Sequence, residues 1–216
     1  MSEGLFRERT NRPGMLVTID GPNGSGKTFL TEAISAELLA RGVAVHSTHQ
    51  PSATSLGHFA RDAEAELRGR GLACLVAADR HQQVDSEIGR QLDAGKIVLC
   101  DRYIESSLVL QRIDGVETGF ILAINAGIPR PDLRIRLRAA PAMIRQRLDS
   151  RQPDPGRRFE RSAGPEQELE LYEEADQLLS ESFGVAAQIY DTTETDAAEL
   201  GAKVAAVIEQ EWESRR

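Results

Sequence analysis

At 216 residues, with 40% apolar and 28% charged side chains, the chain can bury a core without disulfide or metal staples. A net charge of −8 and a pI near 5.1 argue against a general nucleic-acid or membrane-surface binder, and 5% aromatic content argues against a stacking platform for single strands. No apolar run approaches the ~20 residues of a membrane span, and the amino terminus has no signal-peptide pattern.

Residues 1–14 are polar, mixed in charge and closed by Pro13-Gly14, so they read as a flexible lead-in; residues 15–216 read as a single domain. Leu16–Ile19 is a buried strand by composition. It runs into Gly21-Pro22-Asn23-Gly24-Ser25-Gly26-Lys27-Thr28, which fills every fixed position of the phosphate-binding pattern G-x-x-x-x-G-K-[ST]. Phe29 to Leu39 follows as a helix, with Leu30, Ile34, Leu38 and Leu39 at helical spacing and Arg41-Gly42 as its end. Val43–His46 reads as a second strand, and 49–54 as a turn-rich loop. Two helices, 56–67 and 72–92, are separated by Gly69-Arg70-Gly71.

Lys96–Cys100 is a continuous apolar strand that ends on Asp101-Arg102-Tyr103. Short helices are expected at 106–111 and 117–126. The stretch 131–137 alternates apolar and charged residues, which predicts a strand with one solvated face. Pro141 opens a helix to about Ser150. The segment 151–161, RQPDPGRRFER, holds two prolines, a glycine and four arginines; it predicts a mobile basic lid without regular structure. An acidic helix (167–183), a last strand (185–190) and a closing helix (197–212) complete the chain. Five strands alternating with helices predict an α/β fold: a five-stranded parallel sheet with helices on both faces, three layers in all, of the P-loop NTPase kind.

The chemistry-bearing residues follow from this frame. A triphosphate needs inward-facing backbone N–H groups, a helix N-terminus and a cation, which Gly21–Gly26, the helix after them and Lys27 supply. Thr28 and Asp101 are placed for Mg²⁺, and Arg102 for a bidentate grip on a phosphate. The lid arginines Arg151, Arg157, Arg158 and Arg161 suit charge stabilisation during phosphoryl transfer. Arg80 sits beside the apolar Leu75–Ala78, at the edge of a face that could border a cleft. The four histidines show no metal pattern, and His49 alone is placed to meet a substrate. Cys74 and Cys100 lie in apolar runs and read as buried thiols in a reducing compartment, the cytoplasm.

Taken together, IDGPNGSGKT, HQPSATSLG, LVAADRHQQ, DRYIESSLVLQ, PDLRIRLRAAPAMIRQRLDSR, RFE and IYDTT, in that order, resemble the thymidylate kinase family over essentially the whole chain. The resemblance implies transfer of the ATP γ-phosphate, with Mg²⁺, to a nucleoside monophosphate, dTMP or a related or modified nucleotide, by a homodimer. It implies donor contacts at Gly21, Asn23, Gly24, Ser25, Gly26, Lys27, Thr28, Phe29, Arg147, Arg151, Asp191 and Thr192. It implies acceptor contacts at Asp20, Asn23, Pro51, Val76, Arg80, Arg102, Ser107, Leu110 and Gln111. The family places its catalytic arginine either in the P-loop or in the lid; Gly24 occupies the P-loop position here, so the resemblance assigns the role to Arg157 or Arg158, beside Lys27, Asp101 and Arg102.

The departures cluster on the acceptor side. Val76 stands where the family stacks a phenylalanine on the base, Leu110 where it has a tyrosine, Asn23 where it has an acid, and His49-Gln50-Pro51 where it has Arg-Glu-Pro. Losing an aromatic stack removes ~0.5–1.5 kcal/mol beyond area burial, which alone would not abolish binding; the changes together give the expectation of an acceptor that is not simply dTMP. Two other readings stand beside this one: a P-loop kinase of a non-nucleotide or unphosphorylated acceptor, and an ATP-binding switch with little transfer activity.

Overall fold

The computed structural model describes residues 5–7, 12–152 and 158–215, with backbone alone at 161–162. Five parallel strands, β1 (Met15–Asp20), β2 (Val45–His49), β3 (Ile97–Asp101), β4 (Leu133–Arg138) and β5 (Ala187–Asp191), form one sheet in the order β2-β3-β1-β4-β5. β1 pairs with β3 from Met15↔Ile97 to Ile19↔Asp101 and with β4 from Val17↔Leu133 to Asp20↔Arg136. The register therefore brings Asp20 and Asp101, both strand ends, to one edge of the sheet, where ligands of open α/β sheets lie.

The pleat sends alternate side chains to two layers. Met15, Val17 and Ile19 of β1 pack with Leu30, Ile34 and Leu38 of α1 (Lys27–Ala40) and with Val204, Ile208 and Trp212 of α10 (Ala197–Glu213). Leu16 and the β3 residues Val98 and Cys100 face the other layer. That layer holds α3 (Gly69–Gln83), a π-helical turn at Val84–Ile88, α4 (Gly89–Asp93), α5 (Ile104–Ile113), α6 (Thr118–Ile124) and α9 (Pro165–Phe183). The remaining helices, α2 (Ser55–Asp62), α7 (Pro141–Asp149) and α8 (Phe159–Ser162), border the ligand edge.

Four expectations need correction. The first two alternating charges of β4 do not face water: Arg134 and Arg136 are buried beneath α9 and α5 and pair with Glu105, Asp176 and Glu173, while Arg138 stays exposed. Cys74 is exposed on α3 while Cys100 is buried, because a helix, unlike a strand covered on both faces, leaves one side wet. Residues 5–7 of the presumed loose lead-in are docked: Phe6 is buried edge-on against Phe183 with centroids 4.6 Å apart, and the Arg7 N–H donates to Ile128 O. The lid span contains a helical turn, α8, which Phe159 anchors by its burial.

Candidate active site

Between β1 and α1 the chain reverses in six residues. Gly21 has φ 144, and a Cβ there would lie 2.6 Å from Leu137 O, so β4 presses the loop too closely for any side chain. Lys27 folds back over the loop and donates to Gly21 O at 2.9 Å and Pro22 O at 2.8 Å. Burial, then the charge of Arg102, lowers its pKa to about 7.

The Thr28 hydroxyl donates to Asp101 Oδ2 at 2.8 Å, while Asp101 Oδ1 is buried without a hydrogen-bond partner among the described residues. A hard cation that takes a few protein oxygens and completes its shell with phosphate and water fits this pair. A dedicated protein cage does not, since no cluster of three acidic, histidine or cysteine ligands occurs among the described residues.

Arg102 holds φ 70, a left-handed conformation that costs a non-glycine residue about 1–2 kcal/mol. Asp20 stabilises it from behind: its Oδ1 accepts from Tyr103 N, Ser106 N and Ser106 Oγ at 2.6–3.1 Å. Asp20, expected to touch the acceptor, instead organises the turn that presents Arg102, and it does not line the cleft. The Arg102 guanidinium donates to Asn23 Oδ1 at 2.7 Å and Ser106 Oγ at 3.4 Å. Burial opposes its charge, but Tyr172, Asp101, Glu168 and Asp20 outweigh this and raise its pKa. Asn23 in turn gives its backbone N–H and side-chain amide to the buried Glu168 at 2.8 and 3.0 Å.

Three connected spaces meet here. A cleft of about 370 Å³ runs over Lys27, Thr28, Asp101 and Arg102 and also takes in His49, Pro51 and Arg61. A second space, about 390 Å³, opens past Gly24, Gly26 and Phe29 to Arg147, Arg151 and Thr192. Arg147 is pinned there, donating to Thr192 O at 2.6 Å and Gly24 O at 3.3 Å. Asp191 stays outside, its carboxylate accepting from Thr193 and Arg138.

The third space, about 50 Å³, lies beyond Arg102 among Val76, Leu72, Leu110, Gln111 and the lid residue Phe159. Arg80 and Ser107 border it but are already engaged. Arg80 donates to Gln50 Oε1 at 2.6 Å, Tyr103 O at 3.2 Å, Ser107 Oγ at 2.7 Å and Asn125 Oδ1. It braces the walls of the space, with four of its five N–H groups engaged among the described residues.

The lid splits the catalytic expectation. Arg151 lines both larger spaces and pairs with Glu160 at 2.8 Å. Arg158 does not line them: it makes two 2.7 Å bonds to Asp114 and one to Glu64 O. Arg157 lies outside the described residues, as does the side chain of Arg161. Arg61, Glu64 and Glu168 reach the site without any sequence signal, from the faces of α2 and α9 and the turn between α2 and α3. Glu64 lies beside both the cleft and the small space, and burial raises its pKa.

A thymidylate kinase family model matches residues 19–210. The chain is 36% identical over 163 residues to the "Thymidylate kinase" of Deinococcus radiodurans, covering 71% of this chain and 74% of that one. It is 37% identical over 143 residues to the "Probable thymidylate kinase" of Pyrobaculum calidifontis, covering 64% and 71%. It is 34% identical over 141 residues to that of Caldivirga maquilingensis, covering 63% and 69%.

Proposed function

The chain belongs to the thymidylate kinase family, and from that premise we propose how its cleft divides the work of moving a phosphoryl group from ATP to dTMP or a related nucleoside monophosphate. The donor base enters the space between Phe29, Arg147 and Thr192, and its phosphates lie on the backbone N–H groups of Gly21–Gly26. Thr28 and Asp101 would hold Mg²⁺, which when bound neutralises charge on the donor phosphates. Lys27 leaves its two loop carbonyls for phosphate oxygens. Arg102 holds the acceptor phosphate in line, and Arg151, on the donor side of the cleft, approaches the transferred group. A cytoplasmic homodimer rests on family membership alone.

The observation that carries this reading is the placement of Arg102 at φ 70 on the cleft that Lys27 also lines, with Asp20 keeping it there. The acceptor's base meets an apolar wall, Val76, Leu110 and Leu72, without the family's aromatic stack. ADP release over a panel of nucleoside monophosphates and unphosphorylated nucleosides tests both points. Only phosphorylated acceptors should stimulate it, and Arg102→Ala should lower kcat/KM for the acceptor by about a hundredfold or more, the scale of a lost charge-assisted pair. Equal stimulation by unphosphorylated nucleosides, undiminished in Arg102→Ala, would sink the assignment.

A further inference from the structure

Glu168 stands on the first turns of α9, 145 positions from Asn23 in sequence, yet its side-chain hydrogen bonds among the described residues all go to that residue. The residue is 3% exposed. Its charge favours the charged forms of both Lys27 and Arg102, against the burial that leaves the Lys27 pKa low, but it forms no ion pair with either among the described residues. A buried carboxylate with only neutral hydrogen-bond partners is an expensive arrangement. It persists where its charge and geometry serve a neighbour.

The geometry shows which neighbour. Asn23 Nδ2 donates to Glu168 Oε1 at 3.0 Å and to Phe159 O at 3.4 Å, so both amide hydrogens face acceptors. That fixes the amide with Oδ1 on the opposite side, where it accepts from Arg102 at 2.7 Å. We propose that Glu168 is the positioning residue of the acceptor site: by locking the Asn23 amide, it turns Arg102 so that the guanidinium's remaining donors face an acceptor phosphate in the cleft.

The proposal rests on reading Arg102 as the phosphate grip. It also accounts for asparagine where the family resemblance expects an acid. An aspartate at position 23 would set two carboxylates about 3 Å apart in a buried site, where like charges repel strongly. The specificity of the P-loop is thereby tied to a residue on α9.

The test uses Glu168→Gln, Asn23→Asp and the double variant in the full chain, with steady-state kinetics for each substrate. Glu168 accepts from both the backbone N–H and the side-chain amide of Asn23, so in Glu168→Gln the new NH2 must face one of them, donor against donor, and the pair flips or separates. The acceptor KM should rise by about tenfold or more, the worth of a charge-assisted hydrogen bond, while the ATP KM stays within about twofold. Asn23→Asp should also weaken the acceptor, and less so at low pH, where one proton can bridge the two carboxylates. In the double variant the roles exchange: the introduced glutamine amide on α9 donates to the introduced aspartate in the P-loop, and that aspartate accepts from Arg102. The acceptor KM should then return to within about fivefold of the parent, the Phe159 contact being the one lost.

A double variant no better than Asn23→Asp alone overturns the proposal, as does an unchanged acceptor KM in Glu168→Gln. If Glu168→Gln does not fold, Asn23→Asp against the double variant decides by the same rule. If the parent turns over no nucleoside monophosphate, the functional reading falls instead. Crystal structures of the four proteins then decide the positioning role: Arg102 should move in each single variant and return in the double, and the same rotamer in all four refutes it.

Discussion

Lys27 carries both the clearest motif in the sequence and a pKa that the motif does not disclose. Burial, and then Arg102, holds it at about 7, well below its ordinary 10.5. Between those two values an unfolded chain binds a proton that the folded one does not, so this residue makes stability rise with pH across that window. Below about 7 the full cost of burying the charge is present. A triphosphate over the loop reverses the balance and restores the charge, so binding must draw in a proton when the free site is neutral. Calorimetry with ATP in two buffers of different ionisation enthalpy should show an uptake close to one proton at about pH 8 and little at about pH 6. Heats independent of buffer at the higher pH would show that Lys27 is already charged. Lys27, Thr28, Asp101 and Arg102 were legible because each follows a strand end at a fixed spacing. Glu168 and Arg61 were not, because nothing local marks a helix residue whose partner is a loop far away in the chain.

At the level of elements, β4 teaches the limit of periodicity. Arg-Ile-Arg-Leu-Arg is a pattern of alternation, and a sheet with one wet face is its simplest reading. Here α9 covers Arg134 and Arg136, leaving Arg138 exposed, and the countercharges were present in the sequence as the acidic run that contains Glu173 and Asp176. Nothing in either segment states that they meet. Arg134 reaches Glu105 at 2.7 Å and Asp176 at 2.8 Å, with Arg134 1% and Glu105 2% exposed. Replacing Arg134 by Met strands the Glu105 carboxylate in the interior and takes the nearer cation from Asp176, which keeps Arg136 at 3.7 Å, and should cost about 3–5 kcal/mol. Arg134→Met with Glu105→Met and Asp176→Leu should recover most of it, because a well-packed apolar trio replaces the ions. Urea denaturation measures both. A triple variant as unstable as the single one would mean that the layer needs the charges themselves.

In the molecule as a whole, α1 runs from the donor site into the layer it shares with α10. The strand count, their parallel order and the loops at their carboxyl ends were readable from the alternation of elements, but the closeness of α1 and α10 was not, because it depends on one absent side chain. Gly201 of α10 faces Ala33 of α1, and a Cβ at Gly201 would lie 2.6 Å from the Ala33 Cβ and 3.2 Å from its backbone carbon. A leucine there must push the helices apart, at a cost of about 1–3 kcal/mol or more for overpacking. For a chain of this size that lowers Tm by roughly 2–10 °C. The same displacement has a second consequence, since α1 begins at Lys27 and carries Thr28. In the parent, Mg-ATP at a hundred times its Kd should add ~2.7 kcal/mol, or roughly 5–10 °C. If the helices move as one packed layer, Gly201→Leu shifts the P-loop against Asp101, and the same concentration of Mg-ATP gives a smaller rise. A rise equal to the parent's would show that the clash is absorbed within α10, and that the donor site is held by the sheet edge rather than by the layer behind it.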